Sequence, residues 1–275
     1  MIERIGFMQG RLSPIVDGKI QSFPWGTWKA EIASAKSTGL SIMEWTLDQE
    51  RLYENPLMTS LGQKEILEIC KEYNFSIPSL TGDCFMQAPF WKAGDDLREA
   101  LKSDFIAILD GCGTVGISFI VVPLVDDGSL ENIEQENILV GFLTEQESKL
   151  RALNIEIIFE SDFQPTELKR FISRLGEDRF GINYDIGNSA ALGFDPAVEF
   201  SAIGKRIRNV HIKDRPLGGT TVPLGEGDAD FPKVFSLLKG QSYKSNYILQ
   251  TARDENGRHL RVLDEYKKYV QHMVA

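Results

Sequence analysis

The sequence predicts a closed (β/α)8 barrel, a TIM barrel, and three observations carry that prediction. Eight strand-like runs each precede a run of helical character, the composition shows no break that would mark a linker, and residues able to do chemistry gather where the strands end. A chain of 275 residues with 42% hydrophobic and 25% charged composition is long enough for one large core, so residues 1–275 are read as a single (β/α)8 domain.

Ile5 to Leu12 reads as the first strand, followed by a Pro- and Gly-bearing loop and a helix over Trp25 to Gly39, with Thr27 as its cap and Glu31 in its first turn. Ser41 to Leu47 is the second strand. The helix after it runs from about Leu61 to Tyr73, with Ser60 and Gln63 spaced as a capping box. Ser76 to Phe85 is the third strand, and a helix from about Asp95 to Gly113 leads to Ile117–Val125, a β-branched run suited to a strand buried on both faces. Leu130 to Leu150 supplies the fourth helix and Glu156 to Asp162 the fifth strand. Pro165 opens the next helix, as Pro196 does after the sixth strand, Phe180 to Asn188. Arg208 to Lys213, a long loop, a short helix from Phe231 to Lys239, Tyr247 to Ala252 and a closing helix from His259 to Val274 complete eight units.

No GxGxxG or Walker-type loop follows the first strand, which argues against dinucleotide and P-loop folds. The three cysteines have no CxxC spacing, so a disulfide framework or thiolate metal site is not expected. A net charge of −10 argues against general affinity for nucleic acid, and no run of about 18 apolar residues offers a membrane span. With Glu3 and Arg4 where a signal peptide would be apolar, a cytoplasmic protein without nucleic-acid or membrane partners is expected.

In such a barrel the active site lies at the C-terminal ends of the strands. Four strand-like segments finish on metal-capable side chains: Glu160 in IIFESD, Asp185 in NYDIGN, His211 in NVHIKD and Gln250 in ILQTARD. The strand period of two tests their facing. If His211 points inward, so do Asn209 and Lys213, while Val210 and Ile212 meet the helices. The same parity turns Asn183 and Asp185 inward and leaves Ile182 and Tyr184 outside; Gln250 goes in with Ile248. Placing Glu160 inside also turns Glu156 inward, towards the bottom of the barrel. Glu44, Gln9 and Arg11 can reach the upper cavity from the first two strands. Carboxylate oxygens, an imidazole nitrogen and an amide oxygen form a donor set suited to one divalent ion, Mn²⁺, Mg²⁺, Co²⁺ or Zn²⁺.

FESD, NYDIGN and NVHIKD, followed by PLGEGDADF and a last strand of the ILQTAR type, resemble the xylose isomerase-like TIM-barrel superfamily, the sugar-phosphate isomerase/epimerase group that also contains endonuclease IV-type repair enzymes. The resemblance spans nearly the whole chain. It implies an ion held by Glu160, Asp185, His211 and Gln250, with a glutamate expected at the last place. Ketose 3-epimerases of that group resemble a two-base design, and glutamine can ligate but cannot exchange a proton at neutral pH. Asn188 stands where several members carry a histidine, and three histidines in all cannot supply the zinc cluster of the repair nucleases.

The expected activity is therefore a metal-dependent sugar or sugar-phosphate isomerase or epimerase, with Glu160 taking a proton next to a metal-bound carbonyl. Lys213 and Arg253 are candidates for an oxyanion, phosphate or carboxylate, or else for salt bridges with Asp214, Glu226 or Asp254. Arg11, Glu44 and Asn188 complete the expected substrate contacts. Trp25, Trp45, Phe85, Phe90 and Trp91 are either core or the wall of a sugar site. The alternatives are a lyase or dehydratase of a polyhydroxy acid on the same site, and a catalytically silent sugar-binding barrel marked by Gln250. Assembly into a homo-oligomer is compatible with each.

Overall fold

The computed structural model describes residues 4–16, 18–254 and 256–274. Eight parallel strands close into a barrel in sequence order: β1 (Ile5–Met8), β2 (Ile42–Thr46), β3 (Ser76–Thr81), β4 (Phe119–Leu124), β5 (Glu156–Ser161), β6 (Phe180–Asp185), β7 (Ile207–Ile212) and β8 (Asn246–Leu249), with β8 pairing back onto β1. Around them lie α1 (Trp28–Ser37), α2 (Ser60–Tyr73), α3 (Asp83–Gln87), α4 (Asp95–Val115), α5 (Ile133–Glu145), α6 (Glu147–Leu153), α7 (Pro165–Ile172), α8 (Ile186–Leu192), α9 (Pro196–Ile203), α10 (Phe231–Gly240) and α11 (His259–Val274). Among the described residues no helix is long and apolar enough to cross a membrane.

Several strands stop earlier than the sequence suggests, β8 at Leu249 rather than Ala252 among them, and three of the stops have a local cause. β1 ends at Met8 because Gly10 adopts φ +90° and the Gly10 and Leu12 N–H groups turn to the buried Glu31 carboxylate. After β3, Gly82 bends the chain into α3 instead of continuing to Phe85. β6 stops at Asp185, whose Oδ1 accepts the Asn188 N–H and caps α8, so Gly187 and Asn188 are helical. Two expected caps also move. Thr59 caps α2 by accepting from Gly62 N, while Gln63 Nε2 donates to Leu57 O; Thr27 donates to Ser13 Oγ rather than capping α1. The long fourth helix is divided in two at Gln146.

The apolar layer between strands and helices contains Phe7, Trp45, Phe105, Phe159 and Phe171, and α4 and α11 bury Ile108 and Val270 into it. Trp45, Phe85, Phe90 and Trp91 belong to this core, and Trp25 is half-buried under the Arg51 guanidinium, so these rings are not the wall of a sugar site. Inside the barrel Met8, Ile42 and Ile248 form a separate plug. Gly6 makes room for it: a Cβ there would fall 2.6 Å from Ile42 Cγ2 and 2.9 Å from Ile42 O. Because a backbone carbonyl cannot yield as a side-chain tip can, Gly6→Ala is expected to cost about 1–3 kcal/mol. Urea unfolding with an unchanged midpoint would contradict this.

Two register shifts set what faces inward above the plug. Between β6 and β7, Ile182 pairs with Ile207 but Asn183 with Asn209, so β7 carries one extra residue at Arg208. Below this bulge Ile207 lies with Ile182 against the helices; above it Asn209 and His211 stand beside inward Asn183 and Asp185. The inward Glu156 is accounted for by a 3.1 Å ion pair with Arg208 at the lower rim. A second shift, between β2 and β3, adds a residue near Pro78 and brings Ser79 beside Glu44.

Candidate metal and substrate site

Polar side chains of five strands meet above the apolar plug. His211, fully buried, lies with Nε2 2.7 Å from Glu44 Oε1 and Nδ1 3.2 Å from Glu160 Oε2 and 3.8 Å from Asp185 Oδ2. Glu44 Oε2 accepts from Ser79 Oγ at 2.6 Å and Asn209 Nδ2 at 3.0 Å. Asn209 also donates to Asn183 Oδ1, and Asn183 Nδ2 stands 3.0 Å from both Glu160 Oε2 and His211 Nδ1. Asn188 Nδ2 donates to Glu160 Oε1 at 2.6 Å. The two amides therefore fix the plane of the Glu160 carboxylate from both sides.

Charge in this region is unbalanced. Glu44, Glu160 and Asp185 face Lys213, whose Nζ lies 2.6 Å from Asp185 Oδ2, and the imidazole. Burial opposes protonation of His211, but Glu44, Asp185 and Glu160 outweigh it and raise its pKa well above the usual value. Burial likewise resists ionisation of Asp185, yet Lys213 and His211 bring its pKa down to about 2. Gly187 admits the lysine stem, since a Cβ there would fall 2.8 Å from Lys213 Cγ. Lys213 thus pairs with Asp185 rather than with Asp214 or Glu226. Asp214 instead accepts the N–H groups of Gly225, Gly227 and Ala229 and folds the PLGEGD loop onto itself.

Glu160, Asp185 and His211 offer one donor atom each within 4.8 Å of one another. Gln250, directly after β8, follows a Gln250 N–H bond to Ile212 O that prolongs the strand pairing. Its Nε2 donates to Gln21 Oε1 at 3.0 Å, which leaves its buried Oε1 without a hydrogen bond from the described residues. The two carboxylates and the imidazole nitrogen fit a hard-to-borderline divalent ion and could hold one, and the unpartnered amide oxygen of Gln250 belongs to a residue on the wall of the same cavity as Glu160.

Above these groups opens a cavity of about 520 Å³, within the usual range of roughly 300–1,000 Å³ for small-molecule sites. Glu160, Asn188, Lys213 and Gln250 line it, while Asp185 and His211 lie beneath. Three expected substrate contacts are elsewhere. Glu44 is fully buried under His211. Arg11 gives its guanidinium to Thr251 O and Ile20 O, and Arg253 donates to Ser13 O in the loops above β1 and β8. Met86 and Gln87 reach the cavity, and the PLGEGD loop does not line it.

The cavity also holds residues that sequence reasoning passed over. Arg215 Nη1 donates to Asn188 Oδ1 at 2.7 Å, with Nε and Nη2 anchored on Gly219 O. It lies two residues beyond Lys213, and extending the alternating face by one step would have found it. Asp83 and Gln21 line the far wall, with Gln21 Nε2 donating to Asp83 Oδ2 at 2.8 Å. Gly82-Asp83 is a turn signal that the strand reading absorbed. Asp83 carries a pKa pushed up to about 7, first by burial and then by Asp48, Glu160 and Glu44, against the bond from Gln21.

Comparison with known proteins agrees with this fold. The chain is 23% identical over 241 residues to a putative L-ribulose-5-phosphate 3-epimerase of Escherichia coli, covering 82% of this chain and 83% of that one. It is 24% identical over 234 residues to an L-ribulose-5-phosphate 3-epimerase of Shigella flexneri, covering 81% of each. Among solved structures, the IolI protein with a bound zinc atom superposes with a TM-score of 0.77 at 17% identity, over 98% of both chains. A D-allulose 3-epimerase from Methylomonas sp. gives 0.75 at 16%, again over 98% of both. The family model of the xylose isomerase-like TIM barrel matches residues 32–272, and the chain belongs to that family.

Proposed function

We propose that this protein is a divalent-metal-dependent epimerase or isomerase of a ketose or ketose phosphate, with Glu160 as the group that takes the carbon-bound proton. The observation that carries this reading is the Glu160 carboxylate, clamped by Asn183 and Asn188 beside Asp185 and His211, on a cavity whose wall also carries Gln250. The distant curated relatives named as L-ribulose-5-phosphate 3-epimerases, the D-allulose 3-epimerase and the zinc-bearing IolI support the same class.

Glu160, Asp185, His211 and Gln250 would hold the ion, which supplies Lewis acidity towards a substrate carbonyl and a neighbouring hydroxyl. Glu160 then removes the proton from the carbon next to the carbonyl. Lys213 and Arg215 bring positive charge to the same cavity, where an enediolate oxygen or a substrate phosphate needs it. Asn188 links the two functions, since it holds Glu160 by its amide nitrogen and Arg215 by its amide oxygen.

The test is incubation of the Mn²⁺-loaded protein in D2O with L-ribulose 5-phosphate, D-allulose, D-fructose and D-tagatose, read by proton NMR. Deuterium entering the position next to the carbonyl, with formation of an epimer or aldose, is the expected result. Loss of water from the substrate would shift the assignment to a dehydratase, and binding without exchange would mark a silent sugar-binding barrel.

A further inference from the structure

Inverting a carbon next to a carbonyl requires a proton to leave one face and another to arrive on the opposite face. Glu160 serves one face in the reading above. The amide of Gln250 cannot serve the other. Among the described residues four acids line the cavity: Asp83, Asp126, Glu160 and Asp162. Asp126 is exposed, and Asp162 is half-buried and accepts from Ser129 Oγ at 2.7 Å. Of these four, Asp83 alone shares with Glu160 a buried position on the cavity wall, each 8% exposed.

Asp83 is held rigidly. The Gly82 N–H donates to Val121 O of β4 and the Cys84 N–H to Leu47 O beyond β2, so the residues on either side of it are pinned to both neighbouring strands. The turn requires glycine: a Cβ on Gly82 would fall 2.4 Å from the Phe85 ring and 2.9 Å from Val121 O. Gln21 Nε2 donates to Asp83 Oδ2, and no hydrogen bond reaches Oδ1 from the described residues. The same Gln21 accepts from Gln250, so a chain of two hydrogen bonds crosses the mouth from β8 to the end of β3. Glu160 is on β5, with Pro123 and Val125 of the β4 wall between it and Asp83.

We propose that Asp83 is the second acid–base group of this site, returning a proton to the reacting carbon on the face away from Glu160 and so replacing the carboxylate that position 250 lacks. The inference rests on the ketose epimerase reading and deepens it. Glu160 accepts the proton as the C–H electron pair forms the C=C bond and the carbonyl π pair moves onto oxygen. Protonated Asp83 then gives its proton to the carbon as the oxygen pair re-forms the carbonyl. One proton is lost and one gained. The enzyme is left with Glu160 protonated and Asp83 ionised, and both reset by exchange with water in the open cavity. A carboxyl that burial holds near neutrality suits this donation, as Asp48, Glu44 and Glu160 oppose its ionisation and Arg11 favours it.

The experiment compares wild type, Asp83→Asn and Asp83→Glu as full-length Mn²⁺-loaded proteins in D2O, on a ketose from the panel above that wild type turns over. Asp83→Asn is expected to lose epimer formation about 100-fold or more, while deuterium still enters the starting ketose at a rate within about tenfold of wild type, because the Glu160 half-reaction survives. Asp83→Glu should recover part of the epimer formation. Unchanged epimerisation by Asp83→Asn overturns the assignment, and so does an equal loss of exchange and epimerisation, which would indicate a role in binding or folding. A wild-type protein that exchanges no proton of any ketose overturns the function itself, and the assignment with it.

Discussion

Glu160→Gln is expected to leave the barrel folded and to stop solvent exchange at the substrate carbon. The substitution keeps the side-chain length and an oxygen able to ligate, but removes the only atom pair in that position able to accept a proton at neutral pH. General-base contributions are typically 10²–10⁴-fold, so turnover should fall by at least about 100-fold. A local cost accompanies it. Asn183 Nδ2 and Asn188 Nδ2 each donate to one Glu160 oxygen, and a glutamine would present an amide NH2 to one of them. Two donors facing each other in a partly buried site cost about 1–3 kcal/mol, enough to lower the melting temperature by several degrees without unfolding the chain. Circular dichroism with deuterium wash-in separates the two effects. A folded variant that exchanges at the wild-type rate would remove Glu160 from the chemistry.

The residues that gather around His211 were legible because strand alternation is a local property. Once His211 was turned inward, the period of two was enough to turn Asn209, Asn183, Asp185 and Gln250 inward as well. The extra residue at Arg208 did not disturb this, because every functional position lies above it. What alternation cannot report is height. Glu44 and Glu160 both point into the barrel, yet one lies fully buried beneath His211 and the other lines the cavity. Their relative level depends on the stagger between strands 116 positions apart in sequence, which a run of six residues does not encode. Asp83 was hidden for a different reason. SIPSLTGDCF is apolar enough to pass for one strand, and the single Gly-Asp turn signal within it is short, although the bend at Gly82 leaves no room for a Cβ beside the Phe85 ring and Val121 O. Arg215 lay one alternation step past the strand, in a loop whose path is set by Asp214 gathering three N–H groups.

Glu44→Gln is expected to weaken divalent-metal binding by about 10–100-fold, the usual effect of removing the partner that orients a ligating histidine. Glu44 Oε1 lies 2.7 Å from His211 Nε2, so the nitrogen facing Glu160 and Asp185 is Nδ1, the one a cation would use. The carboxylate does two things there: it accepts the Nε2 proton, and its charge makes Nδ1 a better electron donor. Glutamine can keep the first through its oxygen. Its amide nitrogen would then face Asn209 Nδ2, which now donates to Glu44 Oε2 at 3.0 Å, and the imidazole would lose a rigid support. Titration of Mn²⁺ into the apo protein measures the loss directly, and an unchanged affinity would show that Glu44 does not aim the histidine. The two glutamates should also part in their response to metal: saturating Mn²⁺ should restore most of the turnover of Glu44→Gln and none of that of Glu160→Gln. Only the first defect lies in holding the ion; the second lies in taking the proton.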